Sequence, residues 1–531
     1  MHLNIIARVL GLLLMIFSLT MLPPILVAVL YGENTSSTFA IAFGITLAVG
    51  LAFWLPSKQV NADMRTRDGF LITVCFWLVL STFGALPLML AEAPNLSFIN
   101  ALFESVSGLT TTGATVISGL DDLPKSILYY RQQLQWLGGI GIVVIAVAIL
   151  PMLGVGGMQL YRAESPGPVK DNKLVPRLAE TAKALWTIYV SLTLACAAAY
   201  WAAGMSGFDA ITHSFSTIAI GGFSTHDASM AYFDSSAIEI IAILFMFIAG
   251  INFALHFTAW QRSRIDHYFR DPEFLFYGFI LLAVSLVTVA VLLRFEVYPT
   301  VPETIVNGIF QVVSFATTTG FATSQFHEWP IFLPYLLMYA AIIGACAGST
   351  GGGMKVIRIL LIFKQGFREV QRLIHPRAVI PIKLGRGPVQ DRVVEAVWGF
   401  FAVYVMAFML MLLALLEYFG FSLAVGRARY KFGVKAPATT GQPDFERYYR
   451  AQMNTLEQLV IFLPALWTFA TFVDENWASI LGVVYIIGRA LYFTGYVKAA
   501  EKRSAGFGIS TLPMLVLLLG GIYGAARALL G

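Results

Sequence analysis

Long apolar runs alternate with short polar segments along the whole chain. A helix needs about 20 apolar residues to cross the hydrocarbon core of a bilayer. By this measure the pattern predicts about twelve spans, at roughly 4–30, 38–56, 69–91, 130–153, 184–204, 236–259, 273–294, 331–363, 393–425, 451–473, 477–497 and 508–530. The first run is interpreted as a retained span, because it is too long for a signal-peptide core. The chain is therefore predicted to be an all-α membrane protein.

Basic residues cluster in alternate loops between the predicted spans, at 58–67, 162–177, 262–270 and 364–392. Cytoplasmic loops of membrane proteins carry an excess of lysine and arginine, so these loops and the N-terminus are predicted to be cytoplasmic. The intervening loops are predicted to lie outside, and they hold half-length apolar segments that are too short to span.

These half-length segments are three copies of one pattern. They read "INALFESVSGLTTTGATV" at 99–116, "FDAITHSFSTIAIGGFST" at 208–225 and "VNGIFQVVSFATTTGFAT" at 306–323. Aligned on Gly113, Gly222 and Gly320, they share an amide or acid thirteen residues earlier, at Asn100, Asp209 and Asn307. They also share a serine six residues earlier, at Ser107, Ser216 and Ser314. The repeated unit is predicted to be a span, a re-entrant helix, a glycine turn and a second span.

The repeated turn predicts an ion pathway. Non-helical backbone at membrane depth is tolerated only where it is buried in protein or lines a water-filled cavity. Glycine permits a positive φ, so successive carbonyls can face one way and replace the hydration shell of a monovalent cation. The alternative, glycine and threonine as close-packing residues, explains one such turn but not three in register. The candidate ion-binding residues are Thr111, Thr112, Gly113, Ile220, Gly221, Gly222, Thr318, Thr319 and Gly320.

Residues 1 to about 415 resemble the Trk/Ktr/HKT superfamily of potassium transporters, and most closely the bacterial Trk-type pore subunit. The resemblance is carried by "TTTGAT", "AIGGFST", "TTTGFAT" and "GACAGSTGGGMKVIRILL" at 344–361. The last stretch resembles the loop that gates the pore below the filter, with Gly348, Gly351, Gly352 and Gly353 as candidate gate residues. A simple helix kink is the alternative for that stretch.

The Trk resemblance implies potassium uptake across the bacterial inner membrane. Potassium is then the substrate, bound at the filter residues, and transport needs no cofactor. The resemblance also implies a homodimer with a cytosolic nucleotide-binding regulatory subunit.

The family has four repeats, and the fourth is interrupted here. The stretch "DRVVEAVWGFFAVYVMAFMLMLLALL" at 391–416 resembles the first span of that repeat, but no fourth filter follows. The sequence "APATTGQPD" at 436–444 is rejected as a filter, because basic residues precede Gly441 where an apolar helix belongs. With three turns instead of four, we expect weak or absent potassium uptake.

Residues from about 405 to 531 resemble a second family, the membrane-associated proteins in eicosanoid and glutathione metabolism (MAPEG). The signatures are "ERYYRAQMNTLEQ" at 446–458 and "GRALYFTGYVKAAEKR" at 488–503. The resemblance implies a four-helix bundle that forms a trimer, with glutathione as a ligand of the C-terminal region. It implies that the ligand is bound by Arg450, Asn454, Glu457, Tyr492 and Tyr496, and that Arg503 stabilises its thiolate. Interfacial aromatic residues and a loop charge are the alternative interpretations of the two tyrosines and of Arg503.

Four regions are predicted: a two-helix N-terminal region at 1–60, three pore-loop repeats at 61–392, a shared helix at 393–426 and the remaining MAPEG-like part at 427–531. The shared segment has 34 residues and no Gly or Pro between Gly399 and Gly420, so one long helix is predicted there. A helix that crosses the membrane once has its ends on opposite sides. The basic loops before it and those after it therefore cannot both be cytoplasmic. We expect residues 427–435 and Arg503 to lie outside the cytoplasm.

Two other functions stay open beside potassium uptake: a glutathione-dependent transferase or peroxidase, and a fusion product in which neither activity survives. Composition further limits the possible classes of function. The chain is 58% hydrophobic and 12% charged, and its net charge of +5 is too small to indicate a nucleic-acid partner. Soluble domains carry about 25% charged residues, so membrane lipid is the expected surrounding.

Overall fold

The helices of the chain follow its apolar runs, and a computed structural model describes residues 3–58, 66–139, 141, 178–375, 378, 380–385, 387–389 and 391–530. The predicted all-α membrane fold is confirmed. In the described ranges, the strands are limited to the antiparallel pair β1 (Lys383–Leu384) and β2 (Gly387–Pro388). Two compact units divide the chain, Met1–Val394 and Glu395–Gly531.

The first unit contains sixteen α-helices within the described ranges. They are α1 (Leu3–Leu19), α2 (Leu22–Tyr31), α3 (Ser36–Ser57), α4 (Thr66–Gly84), α5 (Leu86–Leu90), α6 (Phe98–Leu109), α7 (Lys125–Gly139), α8 (Leu178–Ala202), α9 (Gly207–Ala219), α10 (Ser236–Ala249), α11 (Phe253–Gln261), α12 (Asp266–Arg270), α13 (Pro272–Arg294), α14 (Val301–Ala316), α15 (Phe332–Ile343) and α16 (Val356–Ile374).

Eight helical segments of the described chain are long and apolar enough to cross a membrane, or nine if the bent pair α10 and α11 is one span. This pair bends by 90° at Gly250 and Asn252, inside the run predicted as one span at 236–259. The run at 69–91 divides between α4 and α5, and Pro87 stands in the first turn of α5. The run at 331–363 is interrupted between α15 and α16. For the run at 130–153, α7 ends at Gly139 and most of the rest lies outside the described residues.

The half-length segments form the short helices α6, α9 and α14, of 12, 13 and 16 residues. Each is shorter than the roughly 20 residues that a spanning helix needs, so the prediction of non-spanning helices is confirmed. Two apolar cores support them. One core joins α1 to α7 around Phe17 and Phe39, and the other joins α8 to α16 around Tyr277 and Phe310.

The second unit is a bundle of four helices: α17 (Asp391–Phe432, whose first residues belong to the first unit), α18 (Pro443–Phe472), α19 (Glu475–Lys498) and α20 (Ser504–Leu530). The prediction of one uninterrupted helix across 393–426 is confirmed by α17, which has 42 residues. Stacked aromatic pairs hold the bundle, Phe462 on Tyr485 at 3.7 Å and Phe421 on Phe493 at 4.0 Å between ring centroids.

Candidate functional site

The three short helices begin in the same way. Just before each of α6, α9 and α14, a side-chain hydroxyl accepts a hydrogen bond from the backbone N–H three residues later, at Ser97 (3.4 Å), Ser206 (3.0 Å) and Thr300 (3.3 Å). Such N-caps satisfy one of the donors that a helix leaves without a partner at its first turn. The starting points of the three helices are therefore set locally by sequence.

The three helices also end in the same way, at the shared serine. The serine carbonyl accepts a hydrogen bond from the backbone N–H of the residue immediately before the turn glycine. These bonds run from Thr112 to Ser107 (2.9 Å), from Gly221 to Ser216 (2.9 Å) and from Thr319 to Ser314 (2.8 Å). Each turn is thus bonded directly to the carbonyl end of its helix, where the helix dipole is negative.

The backbone of the three turns repeats an unusual alternation. In each turn the glycine and the residue two positions earlier both have a positive φ, while the residue between them does not. The angles are +53° and +76° at Thr111 and Gly113, +54° and +80° at Ile220 and Gly222, and +65° and +87° at Thr318 and Gly320. A positive φ is costly for a β-branched residue, so the surrounding structure must impose it.

The turns meet one another in chain order. A Cβ built on Gly113 would collide with the carbonyl oxygen of Gly221, and a Cβ built on Gly222 would collide with the carbonyl oxygen of Thr319. Among the described residues, no atom lies within 4 Å of a Cβ built on Gly320. The structure therefore brings the three predicted turns together, and only the first two have a neighbouring turn at the Cβ position of their glycine within the described chain.

The polar groups of the turns differ in their partners. Threonine hydroxyls pair within the first and third turns, Thr110 with Thr112 at 2.8 Å and Thr317 with Thr319 at 2.7 Å. The Gly221 carbonyl, predicted as an ion ligand, instead accepts a hydrogen bond from the side chain of Gln135 at 2.6 Å. The same side chain accepts from the N–H of Phe223 at 3.0 Å. The second turn is thus held from behind by α7.

Sequence reasoning missed the polar residues that support the turns. In α7, the buried side chains of Arg131, Gln132 and Gln135 face this region, and Gln132 accepts a hydrogen bond from Ser216. A second missed set lies nine residues before each turn glycine, at Glu104, His213 and Gln311. All three are buried, and each bonds to a hydroxyl beyond its own turn, at Thr115 (2.9 Å), Ser224 (3.0 Å) and Ser324 (3.4 Å). Buried polar residues at membrane depth are costly without partners, and this was the signal available.

The shared amide or acid thirteen residues before the glycine keeps one role in two of the repeats. Asp209 accepts a hydrogen bond from Thr225 at 2.9 Å, and Asn307 accepts one from Thr323 at 2.7 Å. Asn100 is exposed, and Glu104 bonds to the chain after the first turn instead. The register predicted from sequence is therefore kept, although the first repeat uses a different side chain.

The predicted gate residues lie in the loop 344–355 between α15 and α16. Gly348 and Gly353 have positive φ angles of +74° and +77°, so a continuous helix is not formed. The loop is bonded to both ends of the α10–α11 bend: the N–H of Cys346 donates to the Gly250 carbonyl at 3.0 Å, and the Gly348 carbonyl accepts from Phe253 at 3.0 Å.

The same loop contacts the helix ends next to the turns. The hydroxyl of Thr350 donates to the carbonyl of Ile218 at 2.9 Å, two residues before the second turn begins. The N–H of Gly352 donates to the hydroxyl of Thr318 at 2.7 Å, and a Cβ on Gly351 would lie 2.9 Å from the Thr317 carbonyl. The loop thus lies directly against the second and third turns.

The loops after the first two turns are joined by a charged pair. The ring of His226 bonds to a carboxylate oxygen of Asp121 at 2.5 Å and lies 3.4 Å from Asp209. Burial alone lowers the pKa of His226, but the neighbouring carboxylates of Asp209 and Asp121 outweigh burial, so the pKa is raised above its usual value of 6.5. The bond with His226 correspondingly lowers the pKa of Asp121.

In the second unit, four of the six predicted glutathione residues form a continuous chain of contacts. The amide of Asn454 donates to the hydroxyl of Tyr492 at 2.7 Å, and the ring of Tyr492 lies 5.6 Å from that of Tyr496. Arg503 donates to the hydroxyl of Tyr496 at 3.3 Å.

The other two predicted residues, Arg450 and Glu457, are exposed, and no described contact brings them to this chain of contacts. Sequence reasoning missed Arg489, which is fully buried, bonds to Gln458 at 3.2 Å and lies 4.1 Å from the Tyr492 ring.

Two protein-family models match the chain. The model for TrkH, a cation transport protein family, matches residues 35–425. The model for the MAPEG family matches residues 399–523. The two matches overlap within the long helix α17.

Curated proteins and a solved structure extend the first match. The Trk system potassium uptake protein TrkH of Halomonas elongata is 58% identical over 416 residues, which cover 78% of this chain and 86% of that protein. The protein TrkG of Escherichia coli is 42% identical over 403 residues, covering 76% of this chain and 83% of TrkG. The crystal structure of the potassium transporter TrkH from Vibrio parahaemolyticus matches with a TM-score of 0.70 and 43% identity, covering 99% of this chain and 98% of that chain.

Proposed function

Because this chain belongs to the TrkH family of cation transport proteins, we propose that it takes up potassium across the bacterial inner membrane. The observation that carries the proposal is the convergence of the three turns, in which Gly113 meets Gly221 and Gly222 meets Thr319. Relatives named as potassium uptake proteins support K⁺ as the substrate. The chain needs no cofactor for this step.

Each part of the turn has a role in binding the ion. Carbonyls of the turns replace water around K⁺ as it loses its hydration shell. The negative ends of α6, α9 and α14 point at the turns and favour a cation there. The loop 344–355 closes or opens the path on the inner side, with Gly348, Gly351, Gly352 and Gly353 permitting its conformations.

We propose that transport is weak. The turns at Gly113, Gly222 and Gly320 form a ring of three around the ion path, whereas the Trk resemblance implies four. In the described chain, the lack of any atom within 4 Å of a Cβ built on Gly320 supports this view. A cation at the ring then keeps more water on that side, and the energetic preference that carbonyls give K⁺ over Na⁺ is smaller.

Uptake in cells tests the proposal. The full chain is expressed in a bacterial host that lacks its own potassium uptake systems, and growth at low external potassium is followed together with rubidium influx. We expect slow influx that exceeds that of a control, the same host without this chain. Influx equal to this control would overturn transport, and growth equal to that given by a complete TrkH would overturn the claim that transport is weak.

The assembly is also a proposal. The Trk resemblance favours a homodimer with a cytosolic nucleotide-binding regulatory subunit, whereas the MAPEG resemblance favours a trimer. The mass of the chain, extracted in detergent and measured by light scattering, distinguishes two copies of 58.2 kDa from three.

A second candidate function concerns the second unit. The contacts from Asn454 through Tyr492 and Tyr496 to Arg503 favour a glutathione site, although the names of the curated relatives favour potassium uptake. Calorimetry of the full chain with glutathione tests it: we expect binding that is lost in Arg503→Ala. A folded parent chain that gives no binding heat removes the enzymatic alternative.

The domain boundaries and the fusion alternative need a separate test. We propose that 393–426 serves as a shared helix and that 427–435 lies on the periplasmic side. In a chain whose three native cysteines are replaced, Lys435→Cys should react with an impermeant thiol reagent added outside intact cells. Protection from this reagent, with reaction only after lysis, contradicts the proposed topology. If no full-length chain is inserted in the membrane, the non-functional fusion is the correct reading.

A further inference from the structure

Arg131 in α7 is one of the most deeply buried side chains of the described chain, with no exposed surface. Its partner Glu104 in α6 is also fully buried, and the two side chains approach within 2.6 Å. Removing two charges from water is expensive, so a buried pair is tolerated only when further hydrogen bonds satisfy both groups. The surroundings of this pair therefore indicate what it does.

Both charged groups reach backbone or side chains just beyond a turn. The carboxylate of Glu104 accepts from the hydroxyl of Thr115 at 2.9 Å and from the N–H of Val116 at 3.1 Å. The guanidinium of Arg131 donates to the Thr115 hydroxyl at 3.1 Å and to the Ser224 carbonyl at 3.3 Å. The first turn and the second turn are thus bonded to one guanidinium.

The two contacts of the guanidinium fall at the same register. Thr115 lies two residues after Gly113, and Ser224 lies two residues after Gly222. The guanidinium also lies 4.4 Å from the ring of Phe223, the residue between the second glycine and Ser224. The guanidinium of arginine carries five donors in a rigid planar fork, which suits it to join a carboxylate, a hydroxyl and a carbonyl at once.

We propose that Arg131 is a positioning residue that holds the first two turns at a fixed separation and thereby sets the preference of the ring for K⁺ over Na⁺. The inference rests on the proposed function. Ion preference depends on where the carbonyls stand and how freely they move. This clamp, the guanidinium of Arg131 with its contacts at Thr115 and Ser224, acts two residues after each glycine. Its loss therefore shifts the turns without removing any ion ligand.

Substitution of Arg131 by lysine tests the clamp. The ammonium of Arg131→Lys can still pair with Glu104, so we expect the chain to fold, but the ammonium lacks the fork that reaches Thr115 and Ser224 together. The full chain is purified in detergent, and its melting temperature is followed as K⁺ or Na⁺ is added. The ratio of the Na⁺ to the K⁺ concentration that gives half of the stabilisation should fall about fivefold, the size expected when one hydrogen-bonded link is lost.

Two further variants frame this result. Arg489→Lys removes the fork of another fully buried arginine, in the second unit, and should leave the ratio unchanged. Thr115→Val removes one arm of the clamp with little change in volume, and should lower the ratio by about half as much on a logarithmic scale. It replaces Arg131→Lys as the test if that variant does not fold. If the ratio of Na⁺ to K⁺ concentrations in both Arg131→Lys and Thr115→Val equals that of the parent chain, the inference is overturned.

Failure of the proposed function gives a different result. If the parent chain shows no stabilisation by K⁺, it is the proposed function that fails. Whether Arg131 holds the two turns at a fixed separation is then tested by the distance between two spin labels. The labels are attached at Val116→Cys and Ala228→Cys, which lie on exposed chain after the first and second turns. The distribution should be narrow in the parent background and broader with Arg131→Lys. An unchanged distribution overturns the clamp.

Discussion

The turns at Gly113 and Gly222 are each closed by a neighbouring turn, whereas no described residue closes the turn at Gly320 in this way. Each of the first two has the carbonyl of the next turn where a Cβ would stand, and the third has no described atom within 4 Å. The three turns nevertheless share the same alternation of φ. The three turns therefore share one backbone conformation although their packing against neighbouring turns differs.

This difference separates two reasons for glycine. At Gly222 both the positive φ and the lack of space require it, whereas at Gly320 only the φ of +87° does. The supporting side chains differ too. The second turn is bonded twice by Gln135, while Gln311 near the third turn makes one long hydrogen bond of 3.4 Å.

The largest effect is expected for Gly222→Ala. Its Cβ collides with the backbone of the next turn, which cannot move as a flexible side chain can. A fall of more than about 4 kcal/mol in the free energy of unfolding is severe for one substitution. We expect Gly222→Ala to reach it and to give little folded protein. Yield and melting temperature in detergent measure this. Gly119→Ala is the matched control, since Gly119 has a similar φ of +73° but open space around it. Equal behaviour of the two variants would show that the turns do not contact.

A smaller effect is expected for Gln135→Leu. The substitution leaves the N–H of Phe223 without its partner and frees the Gly221 carbonyl, which together cost about 2–4 kcal/mol in a buried site. The matched variant Gln311→Leu loses one long bond and should cost about 1 kcal/mol. Urea unfolding of the two variants measures the difference. If Gln311→Leu is the more damaging, the third turn is supported as strongly as the second.

Gly320→Ser should cost about 1–2 kcal/mol, the strain of an L-residue in a left-handed conformation. Since no clash adds to this strain, the chain should fold. The added side chain shifts the carbonyls of the third turn, so the ratio of Na⁺ to K⁺ needed for stabilisation should fall several-fold. An unchanged ion preference would place Gly320 outside the ion path.

The smallest effect is expected for His226→Gln, which removes the pair that joins the loops of the two closed sides. The pKa of His226 is raised in the folded chain. Its contribution to the free energy of unfolding is therefore complete below pH 6.5 and is lost as the pH rises through the raised pKa. The contribution should stay below about 1 kcal/mol, because Asp121 is partly exposed. Melting temperatures of parent and variant should differ more at pH 5.5 than at pH 9. His327→Gln, on exposed chain after the third turn, is the control. A difference that grows with pH contradicts this account.

Local pattern explains why the turns could be predicted. The glycines, the serines before them and the short apolar helices recur at fixed spacing, and each turn is bonded mainly within its own repeat. The supporting residues could not be found in the same way. Arg131 is 27 residues from Glu104 and 93 from Ser224, so no periodicity relates them. It was placed instead in an apolar span beginning at residue 130.

The second unit teaches the same lesson. Asn454, Tyr492, Tyr496 and Arg503 were found from two short motifs, and they do meet. The first motif also supplied Arg450 and Glu457, but a shared motif does not show which side chains contact one another. Both side chains remain exposed in the described chain.

The length of α17 has a consequence for the membrane around it. Its 42 residues make a rod of about 63 Å at 1.5 Å per residue, roughly twice the 30 Å of hydrocarbon in a typical bilayer. To lie wholly within that layer it would tilt by about 60° from the normal, beyond the 0–40° seen for spanning helices. Part of the rod therefore stands in the headgroup layer or in water, and bilayers of longer acyl chains should shelter more of it.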